Sequence, residues 1–466
     1  MPVSNRPAKS PRPKMILTEE ARAALGLLEH GREPVFLTGR AGTGKSTLLQ
    51  YFRAATRQRI VVLAPTGVAA VNIQGQTIHS FFGFGPDITV DKVSRRRGKS
   101  AEIFKKLEAI VIDEISMVRA DLLDCVDAFL RLNGPHSRQP FGGIRMIFVG
   151  DLYQLPPVVP PDDEEAFTSF YKSPYFFDAR AFALQPLRVV ELTRVWRQQD
   201  PSFVSLLDAI RTASARDAEL AFLNRRCLAR GQLKHRPGVV HLVPTNFQAD
   251  RINQAHLDRL PGAITTFRGL LEGDFSRRSL PTSMDLPLKP GAQIMMLVND
   301  HHGRFVNGDM GLIEDIDDDE PEEAVHVRLA SGYSGTITPY TWEAIRFSYD
   351  QERDRIVAET LGSFTQYPLR LAWALTIHKA QGQTFDRVVV DFGRGTFAHG
   401  QAYVALSRCR SLEGLTLRTP LRLGHIIIDR RVQEFLSTGP KQPSQLDLTF
   451  APDRLAGENK PMTSFK

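Results

Sequence analysis

The segment TGRAGTGKST, residues 38–47, restricts the fold of this chain more than any other stretch of it. The apolar residues VFL precede it, and STLLQYFRAA, which has the composition of a helix, overlaps its end. Gly39 to Ser46 match the pattern G-x-x-x-x-G-K-[ST] in full, between a predicted strand and a predicted helix, which is the context that the pattern requires. Its glycines let backbone N–H groups approach phosphate oxygens. The sequence therefore predicts a nucleoside triphosphate site on an α/β sheet, without saying how the energy is used.

Short apolar runs separated by helix-length spacers predict strands that are buried on both faces of a parallel sheet. The first series is VFLTG, IVVLAPTG, AIVIDE and RMIFVGD, and the second is GVVHLVPTN, LRLAWALTIHKAQG and RVVVDFG. The second series predicts another α/β lobe that lacks a phosphate loop. Residues of about 262–365 have short strands with Gly, Asn and Asp turns, as in a small β-barrel.

The predicted fold class is therefore α/β, with two lobes and an all-β insertion in the second lobe. The predicted organisation is a disordered basic tail at 1–14, lobe 1 with the phosphate loop at 15–195, the start of lobe 2 at 196–261, the insertion at 262–365, the remainder of lobe 2 at 366–438, and a flexible tail at 439–466.

Composition limits the class of protein. Lys and Arg outnumber Asp and Glu by 59 to 52, which gives a net charge of +7, a modest excess that suits a polyanionic partner without deciding on one. No apolar run approaches the roughly 18 to 20 residues of a membrane span, and the opening MPVSNRPAKSPRPK lacks an apolar core for export. A transit segment is the alternative to a disordered tail there. We expect a cytoplasmic protein with no membrane partner.

Further strand tips carry groups suited to triphosphate chemistry. Lys45 is placed to meet the β and γ oxygens and the Ser46 hydroxyl to coordinate Mg²⁺. Asp113 and Glu114 follow the buried run AIVI, so that one acid can hold Mg²⁺ and the other can polarise the attacking water. Gln154, in VGDLYQLPPV, can sense a γ-phosphate, although a proline-terminated turn would also explain that stretch.

Two arginines separate a motor from a kinase. LTRVWRQQD places Arg197 after a strand, and AYVALSRCRSLEGL places Arg408 in a predicted helix of lobe 2. An arginine from the lobe without the phosphate loop completes the site only when the cleft closes, which ties hydrolysis to lobe motion. Taken singly, each arginine is better explained as a surface ion-pair partner, and its position within these motifs reverses that interpretation.

Polar groups at other strand tips suit a single nucleic-acid strand, because hydroxyls, amides and N–H groups contact phosphate and sugar without reading sequence. Lobe 1 offers them in APTGVAAVNIQGQTIHSFFGF, and lobe 2 in VPTN and LTIHKAQGQT. The ring of Phe81 could stack on a base, but a core position for Phe81 and Phe82 is the stronger reading. The basic run SRRRGK at 94–99 is either a flank of the nucleic-acid path or a solvated loop.

Taken in order, these blocks resemble the PIF (petite integration frequency) family of superfamily 1 DNA helicases, which are relatives of RecD. TIHSFFG, GDLYQLPPV, LTRVWRQQDPSFVSLLDAIR, LTIHKAQGQTFDRVVVD and AYVALSRCRSLEGL carry the resemblance, which runs from about Ile16 to Thr419. It implies two RecA-like lobes, a Src-homology-3-like insertion, and ATP and Mg²⁺ as cofactors. It also implies 5′→3′ movement on single-stranded DNA and the unwinding of duplexes, forks, G-quadruplexes or RNA–DNA hybrids in replication, repair or recombination.

Roles for individual residues follow from the resemblance. The implied catalytic residues are Lys45, Asp113, Glu114, Gln154, Arg197 and Arg408, and Ser46 and Asp113 are the implied Mg²⁺ ligands. The implied nucleotide-binding residues are Gly39, Arg40, Ala41, Gly42, Thr43, Gly44, Lys45, Ser46, Thr47 and Gly382. The implied DNA-binding residues are Thr66, Gly67, His79, Phe81, Asn246, Thr376, His378, Lys379 and Tyr403. The chain departs from the pattern at Ala21, where such helicases commonly have an adenine-recognising glutamine, and this puts a strict preference for ATP in doubt.

The expected partners are single-stranded DNA and tailed or structured duplexes, with single-strand-binding or repair proteins as further candidates. We expect a monomer or a weak DNA-induced dimer, in the cytoplasm of a bacterium or from a phage. A single-strand translocase that does not unwind, a RecD-like subunit of a repair complex, and a protein-remodelling ATPase remain as alternatives.

Overall fold

The computed structural model describes residues 18–85, 87–98, 101–184, 187–228, 238–300, 302–317, 324–393 and 395–438. Both predicted tails, 1–14 and 439–466, lie outside these residues. Within the described ranges, no helix is long and apolar enough to cross a membrane.

Lobe 1 is a sheet of six parallel strands in the order β3-β2-β4-β5-β1-β6. Its elements are α1 (Glu19–His30), β1 (Val35–Gly39), α2 (Lys45–Ala55), β2 (Ile60–Ala64), α3 (Gly67–Asn72), β3 (Gln76–Thr77), α4 (Ile78–Phe82), α5 (Glu102–Lys106), β4 (Ala109–Ile112), α6 (Ala120–Asn133), β5 (Arg145–Val149), α7 (Pro161–Phe170) and β6 (Arg188–Leu192). Alternate residues of β4 enter different cores: Ile110 and Ile112 pack on one side of the sheet, and Ala109 and Val111 on the other. Burial of both faces explains why the strand sequences are continuously apolar.

Lobe 2 is a parallel sheet of four strands in the order β18-β7-β19-β20. Its first elements are α8 (Pro201–Arg211), α9 (Asp217–Asn224), β7 (Val239–Val243) and α10 (Asn246–Arg259). Each of the seven apolar runs that were predicted to be strands contains at least one strand, which confirms the α/β class with two lobes.

Antiparallel strands interrupt lobe 2 between α10 and β18. They are β8 (Thr265–Arg268), β9 (Leu270–Gly273), β10 (Asp285–Leu288), β11 (Gln293–Met296), β12 (Met310–Asp317), β13 (Ala324–Leu329), β14 (Ser334–Ile337), β15 (Tyr340–Asp350), β16 (Arg355–Gln366) and β17 (Leu369–Leu371). Five of these strands form a sheet in the order β14-β13-β12-β11-β17, β16 pairs with both β15 and β9, and β8 pairs with β10. The likeness of the insertion to a Src-homology-3 barrel stays a prediction. Lobe 2 then resumes with β18 (Ala374–Thr376), β19 (Arg387–Val390), α11 (Gln401–Leu406), β20 (Leu415–Leu417) and α12 (Arg430–Thr438).

The hairpin of β15 and β16 leaves the insertion and packs on lobe 1. The backbone N–H of Phe347 donates to the side-chain oxygen of Gln76 at 3.1 Å, and the Phe347 side chain is buried in the lobe 1 core. Near the hairpin tip, Asp354 lies 3.2 Å from the guanidinium of Arg59. The hairpin therefore links the insertion to lobe 1.

Helix α12 differs from the prediction, which placed 366–438 in lobe 2. Val432 is buried in the core of lobe 1, and the ring of Phe435 stacks on that of Phe177 with centroids 4.1 Å apart. Arg431 pairs with Asp178 at 2.6 Å. Because its apolar residues recur at intervals of three and four, α12 has one apolar face, and the aromatic cluster of lobe 1 covers it.

Candidate nucleotide cleft and nucleic-acid surface

The phosphate loop joins β1 to α2 and opens onto a cleft of about 550 Å³. Gly42 and Gly44 have φ angles of 80° and 88°, a left-handed conformation that favours glycine. The Lys45 ammonium donates to the carbonyl oxygens of Gly39 and Arg40 at 2.6 and 3.1 Å. Burial lowers the pKa of Lys45, and Asp151, Glu114 and Asp113 act against that shift. Of the predicted nucleotide-binding residues, these line the cleft: Ala41, Gly42, Thr43, Gly44, Lys45, Ser46, Thr47 and Gly382.

The acidic pair lies on the same cleft, immediately after β4. Glu114 has a left-handed φ of 50°, and its N–H donates to the Asp113 carboxylate at 2.9 Å. Burial raises the pKa of Asp113, and burial together with the Asp113 charge raises the pKa of Glu114 to about 7. A carboxyl group that titrates near neutral pH is suited to accept a proton from water.

The loop after β5 brings an uncharged amide to the cleft wall. Gln154 lines the cleft, and its side-chain amide donates to Asp151 at 3.3 Å. Asp151 is paired with Arg211 of α8 at 3.0 Å. Burial acts to raise the pKa of Asp151, but the charges of Arg211 and Lys45 more than offset it, so the pKa is lowered. The position of the Gln154 amide therefore depends on Asp151, whose ion pair reaches α8.

Both predicted arginines line the cleft, and Arg197 lies directly against Gly42 of the phosphate loop. Arg197 donates to the carbonyl oxygens of Ser407 and Gly382 at 3.2 and 3.1 Å. Arg408 is fully buried and donates to the Val404 carbonyl at 2.9 Å. Burial lowers the pKa of Arg408 to about 10, and burial together with the nearby Arg408 charge lowers that of Arg197 to about 9. Both remain cations at neutral pH.

Arg40 and Ala41, early in the phosphate loop, contact lobe 2. The guanidinium of Arg40 pairs with Asp208 of α8 at 2.9 Å, while Gly39 and Arg40 are absent from the cleft lining. The N–H of Ala41 donates to the Tyr403 hydroxyl at 2.8 Å, and burial raises the pKa of that hydroxyl to about 12. Tyr403 was expected to approach DNA, and the structure corrects this: its side chain is 3% exposed and contacts the phosphate loop.

Lobe 1 presents part of the predicted nucleic-acid surface. Thr66 is exposed and caps α3, with its hydroxyl accepting from Ala69 N–H at 3.3 Å. Gly67 packs so closely on Ser279 of the insertion that any side chain would overlap it, and His79 is half-buried. The ring of Phe81 is buried in the aromatic core, which confirms the core reading of Phe81 and corrects its implied DNA contact.

Lobe 2 presents the other part at the ends of two adjacent strands. Asn246 is exposed at the start of α10 after β7, and His378 and Lys379 are exposed after β18. Val243 and Thr376 are paired across these strands, so both tips lie at one edge of the sheet. Thr376 differs from the prediction: it is buried, and its hydroxyl accepts from Lys379 N–H at 3.2 Å, which shapes the turn.

Two aromatic residues that sequence reasoning missed lie beside these sites. Phe247 follows Asn246 and has a 73% exposed ring. Trp196 lines the cleft near Gly44, with the Arg194 guanidinium 4.0 Å from its ring centroid. The signal for Phe247 was present in the sequence, since VPTNF repeats the pattern APTGV of lobe 1.

The oxygen donors on the cleft fit Mg²⁺ but not a protein-only metal cage. Ser46 and Asp113 both line the cleft. Among the residues that the structure describes, no group of three or more His, Cys, Asp or Glu side chains could hold a metal. Mg²⁺ typically uses one or two protein oxygens and takes its other ligands from phosphates and water, which this donor set allows.

A phosphate loop in one parallel-sheet lobe, facing arginines at the edge of a second such lobe, defines a two-lobed P-loop nucleotide-binding protein. A family model described as PIF1-like helicase matches residues 17–216. The ATP-dependent DNA helicase PIF1 of Mus musculus is 35% identical over 430 residues, which cover 89% of this chain and 61% of the mouse protein. The ATP-dependent DNA helicase Pif1 of Bdellovibrio bacteriovorus is 33% identical over 430 residues, which cover 90% of this chain and 91% of that protein. The chain belongs to the PIF1-like helicase family, and it spans about three fifths of the length of the mouse relative.

Solved structures of Bacteroides Pif1 share this fold at 35% identity. The complex with ADP-AlF4 has a TM-score of 0.83 and covers 91% of this chain and 97% of that chain. The unliganded protein has a TM-score of 0.82, with coverage of 92% and 98%. The complex with single-stranded DNA has a TM-score of 0.64, with coverage of 91% and 97%. The present structure is therefore more similar to the ADP-AlF4 complex and to the unliganded protein than to the complex with single-stranded DNA.

Proposed function

We propose that this protein is an ATP-dependent DNA helicase that moves 5′→3′ along single-stranded DNA and unwinds duplexes. One observation carries the proposal: Lys45 and Glu114 of lobe 1 line a single cleft with Arg408 of lobe 2. The mouse and Bdellovibrio relatives are named ATP-dependent DNA helicases, and a Bacteroides relative was solved bound to single-stranded DNA.

The cleft residues support a consistent assignment for hydrolysis. Lys45 holds the terminal phosphates, and Ser46 and Asp113 would hold Mg²⁺, which screens phosphate charge when bound. Glu114 accepts a proton from the attacking water, and the amide of Gln154 hydrogen-bonds the γ-phosphate. Arg197 and Arg408 stabilise charge that develops on the transferred group once the cleft closes.

Nucleotide preference depends on the base as well as on the phosphates. Ala21 has no side-chain amide to offer a base, and its methyl group is buried in the core beneath the sheet. The exposed ring of Trp196 on the cleft wall provides a planar surface for any base, because every base has a π-face. We propose that the protein prefers ATP only weakly over other nucleoside triphosphates.

Strand tips of both lobes form the proposed DNA track. Thr66 lies on lobe 1, and Asn246, Phe247, His378 and Lys379 lie on lobe 2. Closing the cleft changes the distance between the DNA-contacting surfaces of the two lobes. Net movement along the strand results if the affinity of each surface for DNA differs between the open and closed states, so that the lobes hold the strand alternately. Forks, G-quadruplexes and RNA–DNA hybrids are proposed substrates. A bacterial cytoplasm is the proposed location.

Unwinding of three labelled duplexes tests the proposal: one with a 5′ tail, one with a 3′ tail and one blunt. We expect ATP-dependent strand separation of the 5′-tailed duplex and little of the other two. Lys45→Ala should lower DNA-stimulated hydrolysis by about 10²-fold or more, because it removes a charged group from the phosphates.

Three results would contradict the proposal. Intact 5′-tailed duplex with strong DNA-stimulated hydrolysis indicates a translocase, and activity that appears only with added repair proteins indicates a RecD-like subunit. Hydrolysis that single-stranded DNA does not stimulate indicates a protein-remodelling ATPase.

A further inference from the structure

The turn after β18 connects the proposed DNA track to the nucleotide cleft. His378 and Lys379 are exposed on its outer side, and Gly382 lines the cleft. The carbonyl oxygens of Gly382 and Gln383 accept hydrogen bonds from the two cleft arginines. Lys379, a proposed DNA contact, is therefore only three positions from Gly382 in the nucleotide cleft.

Internal hydrogen bonds make this turn stiff. Ala380 N–H donates to the Thr376 carbonyl at 3.0 Å, Gln381 N–H to the His378 carbonyl at 3.1 Å, and Lys379 N–H to the Thr376 hydroxyl at 3.2 Å. A turn with these bonds moves as a unit, so a displacement at His378 also displaces Gln381.

The side chain of Gln381 crosses from lobe 2 to lobe 1. Its Nε2 donates to Oε2 of Glu114 at 2.9 Å, across 267 positions of sequence. This is the carboxylate that must accept a proton from the attacking water. The Gln381 amide takes up one hydrogen-bonding position on Oε2 and anchors the carboxyl to lobe 2, so the orientation of the carboxyl toward an attacking water depends on lobe 2 while that bond persists.

We propose that Gln381 is a positioning residue that holds Glu114 away from productive use until single-stranded DNA binds. DNA that contacts His378 and Lys379 favours a position of the turn in which the Gln381 amide leaves Glu114. DNA can shift the turn only by binding the released state more tightly. The inference rests on the proposed function, because it explains how DNA stimulates hydrolysis.

Steady-state hydrolysis by the full chain, without DNA and with saturating oligothymidylate, tests the proposal. Gln381→Ala should raise the DNA-free kcat by about fivefold, the factor that corresponds to one net hydrogen bond of about 1 kcal/mol. Its DNA-saturated kcat should stay within about twofold of wild type, since DNA already releases Glu114 there. Stimulation by DNA therefore falls by about fivefold. Gln381→Asn keeps the amide but is one methylene shorter, and it should behave like Gln381→Ala.

The control is Gln254→Ala, which removes an exposed glutamine that pairs with Asp258 on α10. It should leave both rates unchanged. A wild-type DNA-free rate in both Gln381 variants would overturn the proposal, and so would an equal loss of rate with and without DNA, which is what a structural role predicts. If wild-type protein itself shows no stimulation by DNA, the proposed function fails as well, so the two failures are distinguishable.

Discussion

The hydroxyl of Tyr403 has a role that its position in the sequence does not indicate. It accepts a hydrogen bond from Ala41 in the phosphate loop, although 362 positions separate the two residues. The hydroxyl is buried and neutral, so it can hold the loop without placing a charge beside the phosphates. The cations of the cleft behave differently, because Arg197 and Arg408 stay charged despite burial and donate to backbone carbonyls.

Tyr403→Phe separates a phosphate-loop role from a DNA role. The substitution keeps the ring and leaves the Ala41 N–H without its acceptor, which costs roughly 1 kcal/mol. We expect KM for ATP to rise about fivefold while affinity for single-stranded DNA stays unchanged. Steady-state kinetics and fluorescence anisotropy with a labelled oligonucleotide measure the two quantities.

Tyr349→Phe is the matched control, because the Tyr349 hydroxyl contacts Asp354 near the hairpin tip, outside the cleft. It should change neither quantity. Weaker DNA binding with unchanged KM in Tyr403→Phe would restore the DNA contact expected from the sequence.

At the scale of elements, the two lobes present the same unit at their edges: a strand, the residues Pro-Thr, and a helix. Thr66 and Thr245 cap α3 and α10, with φ, ψ of −121°, 153° and −123°, 150°. Three residues beyond the Pro of each unit, the exposed side chains are Val68 and Phe247. The two lobes therefore present equivalent units to the proposed DNA track, and at the position of Val68 and Phe247 only lobe 2 has an aromatic ring.

Phe247→Ala tests this difference between the lobes. If the ring stacks on a base, its loss should weaken single-stranded DNA binding by about tenfold, within the roughly 1–3 kcal/mol that such stacking contributes. ATP hydrolysis without DNA should be unchanged. Anisotropy titrations at a single fixed salt concentration measure the effect, because affinity for nucleic acid depends on salt.

Phe222→Ala serves as the comparison, since Phe222 is exposed on α9 beside Arg225. We expect no loss of DNA affinity in it. Equal losses in the two variants would mean that exposed apolar surface in general, and not the Phe247 ring, contributes to binding.

At the scale of the whole molecule, the contacts that connect lobe 1 to the rest of the chain include three that differ in polarity. The β15–β16 hairpin packs beside Phe81, helix α12 packs on Phe177, and the cleft contacts join Asp151 to Arg211 and Glu114 to Gln381. The hairpin and α12 bury apolar rings, whereas the cleft contacts are polar. Polar contacts can be exchanged for contacts with nucleotide at small net cost, so the cleft is the place where lobe motion is expected.

Arg408→Lys and Arg408→Ala test whether lobe closure completes the active site. We expect kcat to fall by about 10³-fold in the alanine variant, the lower end of the effect of an arginine finger. Lysine keeps the charge but not the planar fork, so it should recover little. ATP affinity, measured by equilibrium binding, should change by only a few-fold, because the phosphate loop lies in lobe 1. A parallel loss of ATP affinity and kcat would place Arg408 in ground-state binding.

Much of the fold was predictable because buried parallel strands carry a local signature. The continuously apolar runs at 60–64, 109–112 and 146–149 lie in strands as expected. The cleft collects the phosphate loop, Asp113, Gln154 and Arg408 because strand ends and their following turns meet at one edge. Side-chain burial was less predictable. Phe81, Thr376 and Tyr403 lie in motifs that also supply exposed residues, and only packing decides which of them reach solvent.

By itself, the sequence determined the α/β class, the two lobes and the phosphate loop, because each depends on residues that are near one another in the chain. The tertiary structure alone decided that α12 belongs with lobe 1, that Tyr403 supports the phosphate loop, and that Gln381 holds Glu114. These contacts join residues hundreds of positions apart. Local periodicity and motif spacing carry no information about such pairs, since they form only when two lobes are packed together.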